Sequence, residues 1–585
     1  MEWNLKLFYE NENEFNNDIT KFKEKLEEIT KLSGKLHEKN SLKSYIRLFE
    51  EAEMLISKLY VYVNSAKDLN QKDLKNQERY SQIYSLYNEY IIKTSFVSPE
   101  LLSIGKEKLL SLLDEEDLKK MKYQIEKLYH NNLHVKDSNT ESIMANYNEA
   151  LGLFNKLYDD VCVVDYTGKD VKVSTGEKIN VNHATYSYYL STLKEQKDRK
   201  KVFESFYKYY YDHKSTLAGI YEGIMKAEMA DVKNRGYKSI LDSHLFGNNI
   251  DENVYLTLIN TARNNNKPLK KYLKFRKELL NIKSYHTYDR FIDLVESKEE
   301  YPYDKAKKLV LEADKAMGED FYKKACKVLE DGRVSVESRD GKYTGAYSNS
   351  TYNEGPIILL NHNNTLDSAF TIAHEAGHSI HTLYSNESQP YETANYTIFI
   401  AEIASTFNEQ VFLDYMLKNT NDKNEKLVLL QNAIDGLIAT FYRQTLFADY
   451  EYQAHKLVED NKPVNDEVLS NIMIDLYKKY YGINIKPEKY KQYVWAYIPH
   501  FFHTPFYVYQ YATSYSASMA LYQDVKDKKE GAFDRYINLL RSGDSNYPVE
   551  LAKEAGVDLT KKDTYLKVVN RLNELVEQFE KLIKE

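Results

Sequence analysis

The chain is poor in several residue types, and each shortage excludes something. Two cysteines, Cys162 and Cys326, stand among 585 residues, too few for a disulfide framework or a cysteine-built metal site. Glycine (20) and proline (10) are scarce, which argues against a turn-rich sandwich and for long helices. No run approaches 18 apolar residues, so no segment is expected to cross a membrane. The opening stretch MEWNLKLFYENENEF has neither a basic n-region nor an apolar h-region, so no signal peptide is expected. Positive charge is not in excess either. Against 88 Asp and Glu stand 80 Lys and Arg, a net charge of −8 with the signs interspersed. A nucleic-acid partner would call for a basic patch. A reducing, cytoplasmic setting without nucleic-acid or membrane partners is the expectation.

What the chain does have is length and tyrosine. At 68.7 kDa it can bury a large core, and length alone allows two to four domains. Hydrophobic residues make up 42% and charged ones 29%, an ordinary globular balance. Tyrosine reaches 53; packing and interfacial hydroxyls account for most of it.

Residues 14 to 130 read as successive amphipathic helices. FNNDITKFKEKLEEITKL carries apolar positions near 18, 22, 26, 29 and 32, and SYIRLFEEAEMLISKLYVYV and ERYSQIYSLYNEYIIK keep the same period. DDVCVVDYTGKDVKVSTGEKINVNH, residues 159 to 183, alternates apolar and polar residues around Gly168 and Gly176, which predicts a hairpin-like insertion. Helical patterning then resumes, so a boundary is drawn at about 190, dividing 1–190 from 191–585. Near residue 340 the character changes again, with Gly341, Gly345 and Gly355 as turn points. GPIILLN predicts a strand of a small sheet, at its edge because of Pro356. Such an edge could hold an extended peptide by main-chain hydrogen bonds, or simply support the helix that comes after it.

That helix is predicted over TLDSAFTIAHEAGHSIHTLY, residues 365 to 384. Thr365 is placed to cap it, and Leu366, Phe370, Ala373, Gly377, Ile380 and Tyr384 form one buried stripe. His374 and His378, four apart, fall on another stripe of the same helix, one turn from each other. Two imidazoles so placed can grip one Zn²⁺, while Glu375 can take a proton from a metal-bound water. By chance, an H-E-x-x-H would arise in such a chain with odds of roughly a few per cent, so context decides. A catalytic zinc takes three protein ligands and leaves a position open. His381 lies seven residues from His374, about 10.5 Å of helical rise, too far for two short Zn–N bonds. Glu402 is better placed. It lies 24 residues past His378, on a predicted helix over 397–417, between Ile400, Ala401 and Ile403. A carboxylate in such company needs a partner or a metal. Glu409 on the same helix is the alternative, Glu387 and Glu392 are weaker, and Ser405 and Thr406 could orient the ligand.

Several blocks together resemble oligoendopeptidase F, of the wider thimet-oligopeptidase family of zinc peptidases. They are GAYSNSTYNEGPIILLNHNNTLDSAFTIAHEAGHSIHT, IAEIASTFNE, IPHFFHTPFYVYQYATSYSAS and SGDSNYPVELAKEAGVDLT. The resemblance runs from about residue 110 to the end. It implies a mostly α, elongated multi-helix metallopeptidase with a small β-sheet beside the active-site helix and a deep central channel. It implies one Zn²⁺ per chain held by His374, His378 and Glu402, Glu375 as the base, and cytoplasmic cleavage of oligopeptides with folded proteins excluded. His500 and Tyr507 match the positions that bind substrate and the tetrahedral intermediate; Tyr511 is a lesser candidate. His503 is a second histidine in that block, and Phe502 stands where relatives often carry Tyr. The expected reaction is metal-assisted amide hydrolysis by a zinc metalloendopeptidase. A metallocarboxypeptidase, or a helical peptide-binding protein with structural zinc, are the alternatives.

Overall fold

The structure, a computed structural model, describes residues 2–113 and 119–585. It is mostly helical. The chain opens with α1 (Glu12–Thr30), α2 (Lys39–Leu69) and α3 (Leu74–Thr94). After a hairpin of β1 (Lys169–Lys172) and β2 (Lys178–Val181) come α4 (Gln196–Asp212), α5 (Lys267–Leu279) and α6 (Tyr303–Asp314). A small sheet is next, made of β3 (Val334–Glu337), β4 (Tyr347–Thr351) and β5 (Gly355–His362). Helices α7 (Leu366–Ser388), α8 (Ile398–Asn419), α9 (Lys423–Leu437), α10 (Asp466–Tyr481), α11 (Tyr509–Lys526) and α12 (Lys562–Lys584) complete the main elements.

Two compact units result, each assembled from three stretches of chain. The first comprises 1–133, 298–419 and 521–557; the second comprises 134–297, 420–520 and 558–585. The change of pattern read near residue 190 lies inside the second unit. The hairpin over 159–183 is shorter than its alternation suggests. Strands β1 and β2 pair antiparallel, but Asp160–Val164 is a π-helical turn on the end of a preceding helix.

In the first unit, α1 buries Phe15, Ile19, Phe22, Leu26 and Ile29 against α2, and the Asn11 side chain caps its first turn by accepting from the Glu14 amide. This helical core takes in Ile357 and Leu359 of β5. Successive strand residues face opposite ways, so Ile358 and Leu360, equally buried, occupy the other face. Burial on both faces explains a continuous apolar run where alternation would mark a half-exposed strand. Each of these side chains contributes about 1.5–3 kcal/mol over its exposed state. Trp3 fastens the far end of the chain to the same strand, its Nε1 donating to the Ile358 carbonyl at 2.7 Å.

The edge position expected for GPIILLN is overturned: the strand order is β3-β5-β4, with β5 in the centre. Pro356 is tolerated there for a positional reason. It pairs with Ser350 of β4, while pairing with β3 begins two residues later, at Val334 and Ile358. The Ile358 amide donates toward β3, to the Arg333 carbonyl. The nitrogen of Pro356 faces the same way, just before that ladder starts, so no ladder bond is lost. An edge is left at β4 instead.

The second unit is rich in buried aromatic rings. Tyr210, Tyr221, Tyr255 and Tyr272 are enclosed, and hydroxyls that bond to carbonyls, as Tyr255 does to Ala448 at 2.7 Å, let a large ring enter the core at small polar cost. Arg199 and Asp289 form an ion pair of 2.8 Å, both fully buried.

Candidate active site

Helix α7 begins at Thr365, whose hydroxyl accepts from the Ser368 amide while Ser368 returns a bond to the cap. Leu366, Ala373, Gly377, Ile380 and Tyr384 are buried while Phe370 is only half-buried, and Ala369, Ile372, Ala376 and Leu383 are buried as well. The single stripe read from the sequence is therefore one side of a helix enclosed on nearly all sides. The closest approach is at Gly377. A Cβ there would lie 2.8 Å from the Ala404 carbonyl oxygen and from the Ser405 Cα, both backbone atoms of α8. Only glycine lets the two helices cross at this distance.

Helix α8 contributes Glu402. Its Oε2 lies 3.5 Å from His374 Nε2 and 3.7 Å from His378 Nε2. Donor atoms of the three residues all fall within 4.8 Å of one another. The edge of a tetrahedron with metal–ligand bonds of about 2.0–2.1 Å is about 3.3 Å, so the donors stand close to the spacing one zinc-sized ion requires. Two imidazoles and a carboxylate suit such an ion in kind as well.

Around this triad lies a second layer of contacts. His374 Nδ1 is 2.5 Å from Glu409 Oε1, so Glu409, read from the sequence as an alternative ligand, sits against the ring's other nitrogen. Ser405 Oγ donates to Glu402 Oε2 at 2.9 Å. Thr406, read as a second such donor, bonds the Glu402 backbone carbonyl instead, at 2.6 Å. Asn408 is fully buried and donates to the carbonyl of Ala373, the residue before His374, at 2.9 Å. Asp314, at the end of α6, is buried beside Asn408, and burial pushes its carboxyl up to about 8. Sequence reading missed both. A polar residue in the apolar context of FNEQVF was the only signal for Asn408, and Asp314 had none.

The electrostatics come from burial and from crowding of charge. Burial opposes a charge on His374, but Glu409 outweighs it and raises the imidazole to about 9. Burial and the neighbouring His374 lower His378 to about 4. Glu375 is 5% exposed, and among the described residues one of its carboxylate oxygens has no hydrogen-bond partner. Burial pushes its carboxyl up to about 7; His374 opposes this, while Glu402 and Glu409 add to it. His381 is fully buried, with neither ring nitrogen hydrogen-bonded among the described residues, and stacks on Tyr396 with centroids 3.6 Å apart. It is not among the clustered donors.

A cleft of about 500 Å³ opens over these groups. One wall is edge strand β4, and Tyr396 and Asn386 line the cleft together with His374, Glu375 and His378. Ser348 of β4 is tied to α7 by a 2.8 Å contact between its hydroxyl and that of Ser379. His500 and Tyr507 belong to the second unit. Their rings are nearly parallel with centroids 6.0 Å apart, and Tyr511 stands edge-on to Tyr507 at 5.5 Å. His503 is engaged with Asp159 at 2.9 Å.

Comparison with known proteins agrees over nearly the whole chain. Residues 189–571 match the model of peptidase family M3, and residues 100–167 match that of oligopeptidase F. The chain is 31% identical over 584 residues to oligopeptidase PepF of Bacillus subtilis (strain 168), covering 99% of this chain and 87% of that one. It is 32% identical over 592 residues to an oligoendopeptidase F homolog of Borreliella burgdorferi, covering 99% and 98%. The solved structure of oligoendopeptidase-F from Enterococcus faecium superposes with a TM-score of 0.73 at 27% identity, covering 98% of this chain and 99% of that one. The chain belongs to peptidase family M3.

Proposed function

We propose that this peptidase is a zinc metalloendopeptidase that hydrolyses short to medium oligopeptides in the cytoplasm. The observation that carries the reading is the meeting of His374, His378 and Glu402 donor atoms beside an unpartnered, buried carboxylate oxygen of Glu375. Among the described residues no helix is long and apolar enough to cross a membrane, and the relatives' names specify oligopeptides and internal cleavage.

In this reading His374, His378 and Glu402 hold one zinc ion. When bound, the ion supplies Lewis acidity that brings a water's pKa toward 7 and polarises the scissile carbonyl. Every other task falls to the chain. Glu409 accepts a hydrogen bond from His374 Nδ1, which fixes the tautomer whose Nε2 lone pair is free for the metal. Ser405 holds the Glu402 carboxylate in its rotamer. The Glu375 carboxylate accepts the proton of the attacking water and returns it to the leaving amine. Its burial keeps it a strong enough base near neutral pH, where an exposed carboxylate would be a weak one. The main chain of the peptide pairs with the free edge of β4. The resemblance gives Tyr507 and His500 the part of donors to the oxygen on which negative charge develops.

Glu375→Gln tests the assignment. The variant is expected to bind one equivalent of zinc and to leave a mixed peptide pool uncut by mass spectrometry. Near-normal turnover, or loss of zinc from the variant, would reject it. In the digest of the same pool by the unaltered protein, products released only one or two residues at a time from the carboxyl terminus would favour the carboxypeptidase alternative.

A further inference from the structure

A cavity of about 170 Å³ lies wholly within the second unit. It is walled by α5, by the turn Thr287–Arg290, by the π-helical turn Ile438–Arg443 at the end of α9, and by α10. Its composition is unusual for an interior. Arg276, Arg290, Arg443 and Lys491 all line it, and the one acidic residue of the lining is Asp435. Asp435 is already committed to Arg276, at 3.2 Å. Nearby carboxylates are also engaged. Asp289 pairs with Arg199, and Glu488 accepts from the Thr287 amide at 3.0 Å and faces His286 at 3.4 Å. Among the described residues, the side chains of Arg290, Arg443 and Lys491 make no ion pair and no hydrogen bond.

Such an arrangement is costly if nothing else is there. Lys491 is 7% exposed, and its ammonium meets only the faces of Tyr207, Tyr477 and Phe203 at 5.1–5.8 Å. Burial pulls it down to about 7, against the pull of Glu488. Arg290 lies over the Phe291 ring at 3.9 Å. Ring faces offset only part of the loss of hydration of a cation, and like charges facing one cavity add to the cost. Donors without acceptors complete the picture: among the described residues, Nε of Arg276, a side chain 1% exposed, and the Tyr285 hydroxyl have no hydrogen-bond partner. Of the three unpaired cations only Lys491 is buried; Arg443 is half-buried and Arg290 is exposed at the mouth, so the cavity is open to a ligand of its size.

We propose that this cavity is a binding site for a phosphate group, either inorganic phosphate or the phosphoryl end of a small metabolite. Three cations exceed what one carboxylate or one chloride would balance, whereas a phosphate carries up to two charges on oxygens that accept from several donors at once. Guanidinium forks match that oxygen geometry, and the tyrosine hydroxyls add donors around it. The volume is below the roughly 300–1,000 Å³ of drug-sized sites, so a small anion fits and a length of peptide does not.

Calorimetric titration of the full-length protein with sodium phosphate, at ionic strength held constant with chloride, tests this. One saturable site per chain is expected. Arg290→Met and Arg443→Met should each weaken it by about tenfold or more. In chloride alone, both variants should melt no lower than the unaltered protein, because each removes a like-charge contact. Glycerol 3-phosphate titrated in parallel separates the two sources: tighter binding than inorganic phosphate points to a metabolite, equal or weaker binding to the free ion. No saturable binding, or binding that neither substitution weakens, would overturn the proposal. So would variants that melt far below the unaltered protein in chloride, since the two arginines would then be parts of the framework.

Discussion

Nδ1 of His374 lies 2.5 Å from a carboxylate oxygen of Glu409, while Nε2 of the same ring lies 3.5 Å from Glu402. One imidazole is thus held between two carboxylates of one helix, seven residues apart. Only the inner one shares the cluster of donors. The outer one engages the ring's second nitrogen, and in metal sites a carboxylate so placed is worth about 10–100-fold in affinity or activity.

Glu409→Gln should therefore weaken zinc binding by about 10–100-fold with little change in fold. Competition against a chelator of known affinity measures it. An unchanged zinc affinity would mean that the Glu409 carboxylate has no hold on the metal ligand.

Gly377→Ala should act on the same centre by a different route. The added methyl group meets two backbone atoms of α8 at 2.8 Å, and backbone cannot rotate away as a side chain can. Helices α7 and α8 must part, which costs about 1–3 kcal/mol and draws Glu402 back from the histidines. Lower denaturant midpoint and lower zinc affinity are expected together. A variant with both values intact would show that the crossing has slack.

Asp314 gives the stability a pH dependence of defined sign. Its folded-state carboxyl sits at about 8 against a reference of 3.8, so between those values the folded chain holds a proton that the unfolded chain has released. Stability contributed by the neutral acid is therefore lost as pH rises through that window, and is lowest above about 8. Asp314→Asn stays neutral throughout. Its gain over the unaltered protein should grow from pH 5 to pH 8, read as urea midpoints at each pH. Parallel curves for the two proteins would contradict this.

Tyr507 separates catalysis from packing. If its hydroxyl meets the oxyanion, Tyr507→Phe should lower kcat by about 10²–10³ with KM and zinc content nearly unchanged, because only an interaction stronger in the transition state acts on kcat. Tyr509, 3% exposed and packed on Tyr255 at 5.0 Å, is the control. Tyr509→Phe should cost a little stability and leave kcat alone. Equal kcat for both variants would remove Tyr507 from the reaction.

Local signals carried much of this structure. The cap at Thr365, the i,i+4 pair His374 and His378, the apolar run Ile357–Leu360 and the carboxylate of Glu402 in apolar company are all properties of short stretches. What the sequence hid is long-range. Pro356 marks an edge strand by local rules, yet β5 is central because the partner on that side starts two residues later. Asn408 and Asp314 acquire meaning only when α6 and α8 are packed, 94 residues apart in the chain. Glu409 could be recognised as a carboxylate on the ligand helix, but its choice of His374 Nδ1 depends on how α7 and α8 cross. The two units, each built from three separated stretches, leave no linker for composition to reveal.

That interleaving has a consequence for how the chain comes into being. Trp3 bonds to Ile358, across 355 residues, and β5 completes a core begun by α1 and α2. At a synthesis rate of roughly 5–20 residues per second, β5 leaves the ribosome about 20–70 s after Trp3. Through that interval Phe22, Leu26 and Leu59 belong to a core that lacks its strand. A codon change that slows the middle of the message would therefore lengthen the time for which the apolar faces of the nascent amino-terminal helices wait for their strand, without altering a single residue.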